Sequence, residues 1–273
     1  MTRKSAYSYW TLVTFLMTGA PVLSYAQPWA SLPSETQVRL AYDSDQYDAL
    51  LTADGTQEKG WGVTSHAGFL NLQHALTDNV TLGLDTGYGY SMKAGKPSTT
   101  GILDTDITLG LNLLNPYDYD GFGFGLRATY RHPGTYKVAR VPHGLGKGVR
   151  AASFEATAAY QIASIALDTA LGYRHSGYPA PNDVFGYAGI SWFALRDASI
   201  SAYYSFQLAL SGPDFSADVA DLVTLREESH TVHSSIAYQI IESFSLELRA
   251  AHIFKGSNAP ASTKFGTAIQ FNF

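Results

Sequence analysis

The chain predicts an all-β fold, a transmembrane antiparallel up-and-down β-barrel of twelve strands, and three observations carry that prediction. Beyond residue 35 the sequence alternates apolar with small or polar residues, in stretches of about ten or more. Short and long connections between those stretches take strict turns along the chain. The polar face of each stretch is rich in Gly, Ala, Ser and Thr, and only 15% of the chain is charged, where about 25% is usual for a soluble protein.

Residues 1–26 come first and stand outside the barrel. Arg3 and Lys4 precede an apolar stretch from Trp10 to Leu23, which Ser24-Tyr25-Ala26 follows: the three parts of a cleaved export signal. The alternative, a membrane anchor, is disfavoured by the length and by the Gly19-Ala20-Pro21 break. Removing this segment makes the formal charge of −5 more negative by the two units of Arg3 and Lys4, a balance that argues against nucleic acid as a partner. The chain has no cysteine, so export does not lead to a disulfide framework. Residues 27–273 are then one barrel domain.

The first predicted strands are 36–47 and 60–76. In 80–92, Val80, Leu82, Leu84, Tyr88, Tyr90 and Met92 oppose Gly83, Asp85, Gly87, Gly89 and Ser91. In 103–114, Leu103, Ile107, Leu109, Leu111 and Leu113 oppose Asp104, Asp106, Thr108, Gly110 and Asn112. Strand 121–131 sets Phe122, Phe124, Leu126 and Tyr130 against glycines, Arg127 and Arg131. Strands 152–162, 165–174, 199–208 and 244–250 repeat the pattern. Strands 183–195 and 228–240 and the segment STKFGTAIQFNF (262–273) complete the count. Two of these, 60–76 and 183–195, do not keep one parity throughout, and a bulge is predicted in each.

Tight connections fall at 77–79, 115–120, 163–164, 196–197 and 241–243. Longer ones fall at 48–59, 93–100, 132–147, 176–182, 210–227 and 256–261. In a meander this puts all tight turns at one end and all long loops at the other, the asymmetry of outer-membrane barrels, with short turns periplasmic.

A soluble sandwich or lipocalin-like barrel would turn the apolar face inward. The membrane reading turns it to lipid and the small, polar face to a lumen, with every backbone group paired because the sheet closes. Eleven residues at about 3.3 Å each, tilted by ~40°, project to roughly 28 Å, near the height of such an apolar band. Tyr88, Tyr90, Tyr130, Tyr173 and Tyr204 fall near the long-loop ends of their strands. Tyr160, Trp192, Tyr238, Phe271 and Phe273 fall near the short-turn ends. Two aromatic belts are expected at two interfaces.

The run GILDTDITLGLNLL through GFGFGLRATYRHPG, the loop PHGLGKG, then FEATAAYQI-ASIALDTALGYRHSG and NDVFGYAGISWFAL, resembles the outer-membrane barrel proteins found with phenol meta-pathway degradation genes. The resemblance covers most of residues 60–273. It implies passive passage of small hydrophobic or aromatic molecules, and it carries over no catalytic motif. Phe273, with Phe271 two residues before it, matches the C-terminal aromatic signature read by the barrel assembly machinery in such proteins.

Parity assigns the lumen charges: Asp43, Asp85, Asp104, Asp106, Glu155, Asp168 and Glu247 against Arg39, Arg127, Arg131, Arg174 and Arg249. One reading is a constriction that selects solutes by rings of charge. The other is a paired network that fills and stiffens a narrow barrel. The near-balance of signs argues against strong selectivity for anions or cations. Loop 132–147 carries His132, Lys137, Arg140, His143 and Lys147, and loop 210–227 carries Asp214, Asp218, Asp221 and Glu227. Either these are solvated loops that pair with each other, or the first contacts the phosphates of lipopolysaccharide and the second makes cation or gating contacts.

Catalysis is weighed at HTVHSS, 230–235. His233 and Ser234 point to opposite faces, and His233 and Ser235 share a face turned away from a lipid substrate. His230, His233 and His252 make no closed metal-ligand set. The expectation is an outer-membrane barrel with no cofactor, no metal and no catalytic residue. Its partners would be outer-membrane lipids and lipopolysaccharide, and a small hydrophobic solute. The alternatives are a structural or adhesion barrel and an outer-membrane lipid hydrolase.

Overall fold

A computed structural model describes residues 35–273 except 55, 94, 96–97, 116–120, 137–144, 196, 215–222 and 242. The expected export signal and the loop charges Lys137, Arg140, His143, Asp218 and Asp221 lie outside the described residues.

The strands in chain order are β1 (Thr36–Leu51), β2 (Gln57–Thr77), β3 (Val80–Lys93), β4 (Thr99–Ile102), β5 (Thr105–Leu114), β6 (Phe122–His132) and β7 (Ala151–Ile162). They continue with β8 (Ile165–Ser176), β9 (Asp183–Leu195), β10 (Ala198–Ala209), β11 (Glu228–Ile241), β12 (Phe244–Ser257), β13 (Ala259–Pro260) and β14 (Thr263–Asn272). β4 continues into β5, and β13 into β14, so the ring has twelve staves. Every pairing is antiparallel between neighbours, and β1 bonds to both β2 and β14. Val38 stands between Leu72 and Phe271, which closes the sheet and leaves no edge.

The burial pattern is inverted relative to a soluble protein. Phe154, Leu171 and Ile236 point outward and are 55%, 59% and 57% exposed. Arg39, Asp106 and Glu155 point inward and are 2%, 2% and 3% exposed. Only a surrounding apolar medium accounts for that arrangement, because charges shielded from solvent by an uncovered shell of Leu, Ile and aromatics make no sense in water. The predicted belt residues Tyr88, Tyr130, Tyr173, Tyr160, Trp192 and Tyr238 are all on the outside.

Three details differ from the sequence reading. The connection expected at 48–59 is mostly strand: β1 and β2 run on as a hairpin, and only 52–56 joins them. A register shift between Tyr47 and Ala49, with Gly60 and Gly62 at positive φ, lets that extension pack Tyr47, Leu50, Trp61 and Val63 together. Leu103, expected on the lipid face, points inward and is buried. Between the pairs Tyr88–Ile102 and Asp85–Asp106 the second chain carries one residue more than β3, and that bulge reverses the side on which Leu103 emerges.

The third difference concerns the irregular strands. β2 keeps one inward parity from Trp61 through Phe69 to Ala75, and β9 keeps one from Asp183 through Phe185 and Tyr187 to Ser191. Their register shifts fall at their ends. The predicted bulge is therefore present in each strand, and between the shifts the mixed pattern comes from aromatic side chains on the lumen face.

Candidate functional site in the barrel lumen

The lumen charges form two groups. In the first, β1, β2, β3, β12 and β14 bring Arg39 between Asn71 and Glu247, with Nη1 donating to Asn71 Oδ1 at 3.1 Å and Nη2 to Glu247 Oε2 at 3.0 Å. Asn71 in turn donates to the Asp85 carboxylate. Arg249 donates from Nε and Nη2 to Asp43 Oδ1 at 3.0 and 2.7 Å. Lys264 lies 3.7 Å from Asp45.

In the second group, β5 to β9 carry the pairs. Arg131 grips Asp106 with two donors, at 2.7 and 2.5 Å, in the fork geometry that suits a carboxylate. Arg127 stands 3.9 Å from Glu155, and Arg174 stands 3.5 Å from Asp183 while its guanidinium lies over the Phe185 ring.

These partners lie across strands, not along them. Glu247 with Arg249, and Asp168 with Arg174, share a strand, but residues two apart on a strand point in parallel, whereas neighbours on adjacent strands converge. Small residues open the gap between partners. A Cβ on Gly266 would sit 2.1 Å from Asp43 Oδ1 and 2.6 Å from Arg249 Nε, so that pair forms only because β14 has no side chain there. Ala268 stands level with Glu247 and Ala41 and leaves the same room for Arg39 to reach Glu247.

Two members of the expected set behave differently. Asp104 accepts from Gly134 N–H at 2.9 Å and Tyr136 O–H at 2.7 Å, and so ties down the described start of the β6–β7 loop. Tyr136 also accepts from Gly148 N–H at 2.8 Å, which secures the end of that loop. Lys147 meets Glu227 at 3.4 Å, so the basic and acidic loops pair with each other. Asp168 is half-buried and, among the described residues, has no ion-pair or hydrogen-bond partner.

Apolar groups missed by the sequence reading line the rest. On one side Phe69, Leu103, Tyr136 and Leu145 cover a floor of glycines: a Cβ on Gly89 would meet Leu145 at 2.9 Å, and one on Gly101 would meet Tyr136 backbone at 2.7 Å. On the other, Phe185, Tyr187 and Tyr203 form a stripe on β9 and β10. Phe193 continues it against Ala159 and Ala166. Tyr187 and Tyr203 meet edge to face at 6.4 Å. The signal that could have found this stripe was present: β9 carries aromatics at both parities.

The histidines are separate. His233 faces the lumen and meets Ser205 Oγ at 2.8 Å, not Ser235. His230 is outside, against Tyr204 and Glu228, and His252 pairs with Thr263.

No protein-family model and no curated protein matches this chain. Among solved structures it is similar to an outer membrane channel from Pseudomonas putida F1, at 16% identity over 91% of this chain and 99% of that one, with a TM-score of 0.74. It is also similar to the transport unit of the autotransporter AIDA-I from Escherichia coli, at 12% identity over 93% and 95% of the two chains and a TM-score of 0.53. The translocator domain of the autotransporter NalP from Neisseria meningitidis is similar at 11% identity over 89% and 90%, with a TM-score of 0.51. At these identities the likeness speaks for the fold: a closed twelve-stranded antiparallel barrel of the outer-membrane type.

Proposed function

We propose that this chain is a bacterial outer-membrane channel that admits small hydrophobic or aromatic molecules by passive passage. The observation that carries the reading is the division of the lumen. Most of its charges are consumed in cross-strand pairs, while two aromatic-rich walls remain between the charged groups. Paired charges hold the walls apart and offer little net field to an ion, whereas Phe185, Tyr187 and Tyr203 offer apolar surface to an uncharged ring. The similarity to an outer membrane channel, and the resemblance to barrels associated with phenol degradation, point the same way.

In this reading residues 1–26 direct export and are removed, and Phe271 and Phe273 are recognised during barrel assembly. The outer face meets lipid and lipopolysaccharide. Purified protein in planar bilayers is expected to conduct, and proteoliposomes to take up neutral aromatics such as phenol faster than protein-free vesicles. A barrel that neither conducts nor admits phenol would leave the adhesion reading in its place. The hydrolase has less to stand on: His233 pairs with Ser205 inside the lumen, and no described carboxylate hydrogen-bonds its other ring nitrogen. Unchanged, negligible phospholipid turnover in wild type and Ser205→Ala removes it.

A further inference from the structure

Resting on the channel reading, we propose that Asp168, Tyr203 and Tyr187 form a binding subsite near the periplasmic end of the lumen for solutes with an aromatic body and a cationic ammonium head. Asp168 differs from Asp43, Asp85, Asp104, Asp106, Glu155 and Glu247: each of those is engaged by an arginine, an asparagine, or the tyrosine and backbone N–H of a loop, and Asp168 is engaged by no described residue. It also keeps exposure to the lumen while five of the other six are buried.

Its surroundings are built from residues that leave it open. Asp168 stands level with Ala159 on β7 and Gly189 on β9, and Gly189 stands level with Tyr203 on β10. A Cβ on Gly189 would lie 1.8 Å from a ring carbon of Tyr203, so the ring crosses β9 towards Asp168. The phenol is fixed by Ser191 Oγ at 2.9 Å, and the ring by the edge contact with Tyr187. Asp168 is three residues from Ile165, where β8 leaves the short turn, and stands level with Gly189, which puts the subsite in the short-turn half of the barrel, between Tyr187 and Phe193 of the aromatic stripe.

The chemistry of recognition follows. A carboxylate with no described protein partner, set beside aromatic rings, is stabilised most by a ligand that brings its own positive charge, and the charge-assisted hydrogen bonds it accepts are the strong kind. Tyrosine faces attract the same cation and pack the ligand's ring. Anionic aromatics meet the opposite outcome, since Asp168 repels them.

The test uses the full barrel in detergent micelles and titration calorimetry with three probes of one shape: 2-phenylethylammonium, 2-phenylethanol and phenylacetate. The ammonium ion is expected to bind about tenfold or more tighter than the alcohol, from the strength of an added charged hydrogen bond, and phenylacetate not to bind. Asp168→Asn, nearly isosteric, should bring the ammonium ion down to the alcohol. Asp168→Glu should keep part of the preference, and Asp54→Asn in an exposed loop should change nothing. Equal binding of ammonium ion and alcohol by wild type, a preference unaltered by Asp168→Asn, or no binding of the ammonium ion overturns the proposal. Uptake of 2-phenylethanol by proteoliposomes, measured alongside, bears on the channel itself: uptake that survives Asp168→Asn supports the channel whatever the calorimetry shows, and absent uptake counts against the channel, not the subsite.

Discussion

Arg39 satisfies two acceptors at once, and its worth is seen by removing it. Arg39→Met strips Glu247 of the cation that hydrogen-bonds it inside the barrel. Breaking one side of a buried pair typically costs about 3–5 kcal/mol, while replacing both sides with apolar groups costs far less. Urea unfolding of refolded barrel in micelles should show a large loss for Arg39→Met and a smaller one for Arg39→Met with Glu247→Leu. Equal losses would mean that the pair is held by packing alone. Tyr136 offers a second measurement. Burial first, and then the Asp104 carboxylate, push its phenol up from the ordinary value of about 10. A raised phenol keeps its proton when a free one has lost it, so the contribution of the Tyr136–Asp104 contact is intact below about pH 10 and declines above it, where the unfolded state ionises first. Single-channel conductance should therefore be flat from pH 6 to 9 and rise beyond pH 10 as the loop loosens. Tyr136→Phe should show the higher conductance throughout.

The strands show what small residues in a lumen are for. Glycines and alanines on the inner face read in sequence as mere absence of bulk, yet each sits under something larger from a neighbour: Gly266 under the Asp43–Arg249 pair, Gly189 under Tyr203, Gly101 under the Tyr136 backbone. Gly266→Ala should cost about 1–3 kcal/mol through overpacking, whereas Gly68→Ala, whose added methyl has its nearest neighbour at 4.0 Å, should cost little. Melting of the heat-modifiable band on gels distinguishes them. This also marks where reading the sequence succeeds. Alternation and connection asymmetry are local properties, and they placed all the staves. Pairing depends on register between strands, which no single strand states, so Arg39 with Glu247 and Arg174 with Asp183 were not legible. In β2 and β9 the bulges were legible, but the inward placing of Phe69, Phe185 and Tyr187 was not, because the pattern assumed that aromatics face lipid. At Leu103 a real bulge went unnoticed because leucine fits a lipid face equally well.

For the whole molecule, closure is the decisive contact. Thr36 and Phe273 exchange both backbone hydrogen bonds, at 3.0 and 2.9 Å, and the rings of Phe244, Phe271 and Phe273 follow one another along the short-turn rim. Deleting Phe273 is expected to lower the yield of membrane-inserted, heat-modifiable barrel several-fold in cells. Normal yield would show that neither the Thr36–Phe273 pairing nor the Phe273 ring is needed for assembly.

The two sides of β1 differ in when they can exist. Its ladder to β2 joins residues of one hairpin and can form as soon as that hairpin is made, but its ladder to β14 joins Gln37 to Asn272 and must wait for the other staves. Pairings so distant in sequence are slow to find, because the chain between them must be ordered first. The seam between β1 and β14 is therefore expected to form last, and a barrel caught short of it would be a curved sheet with two open margins, able to zip onto a second copy of itself before the two margins meet.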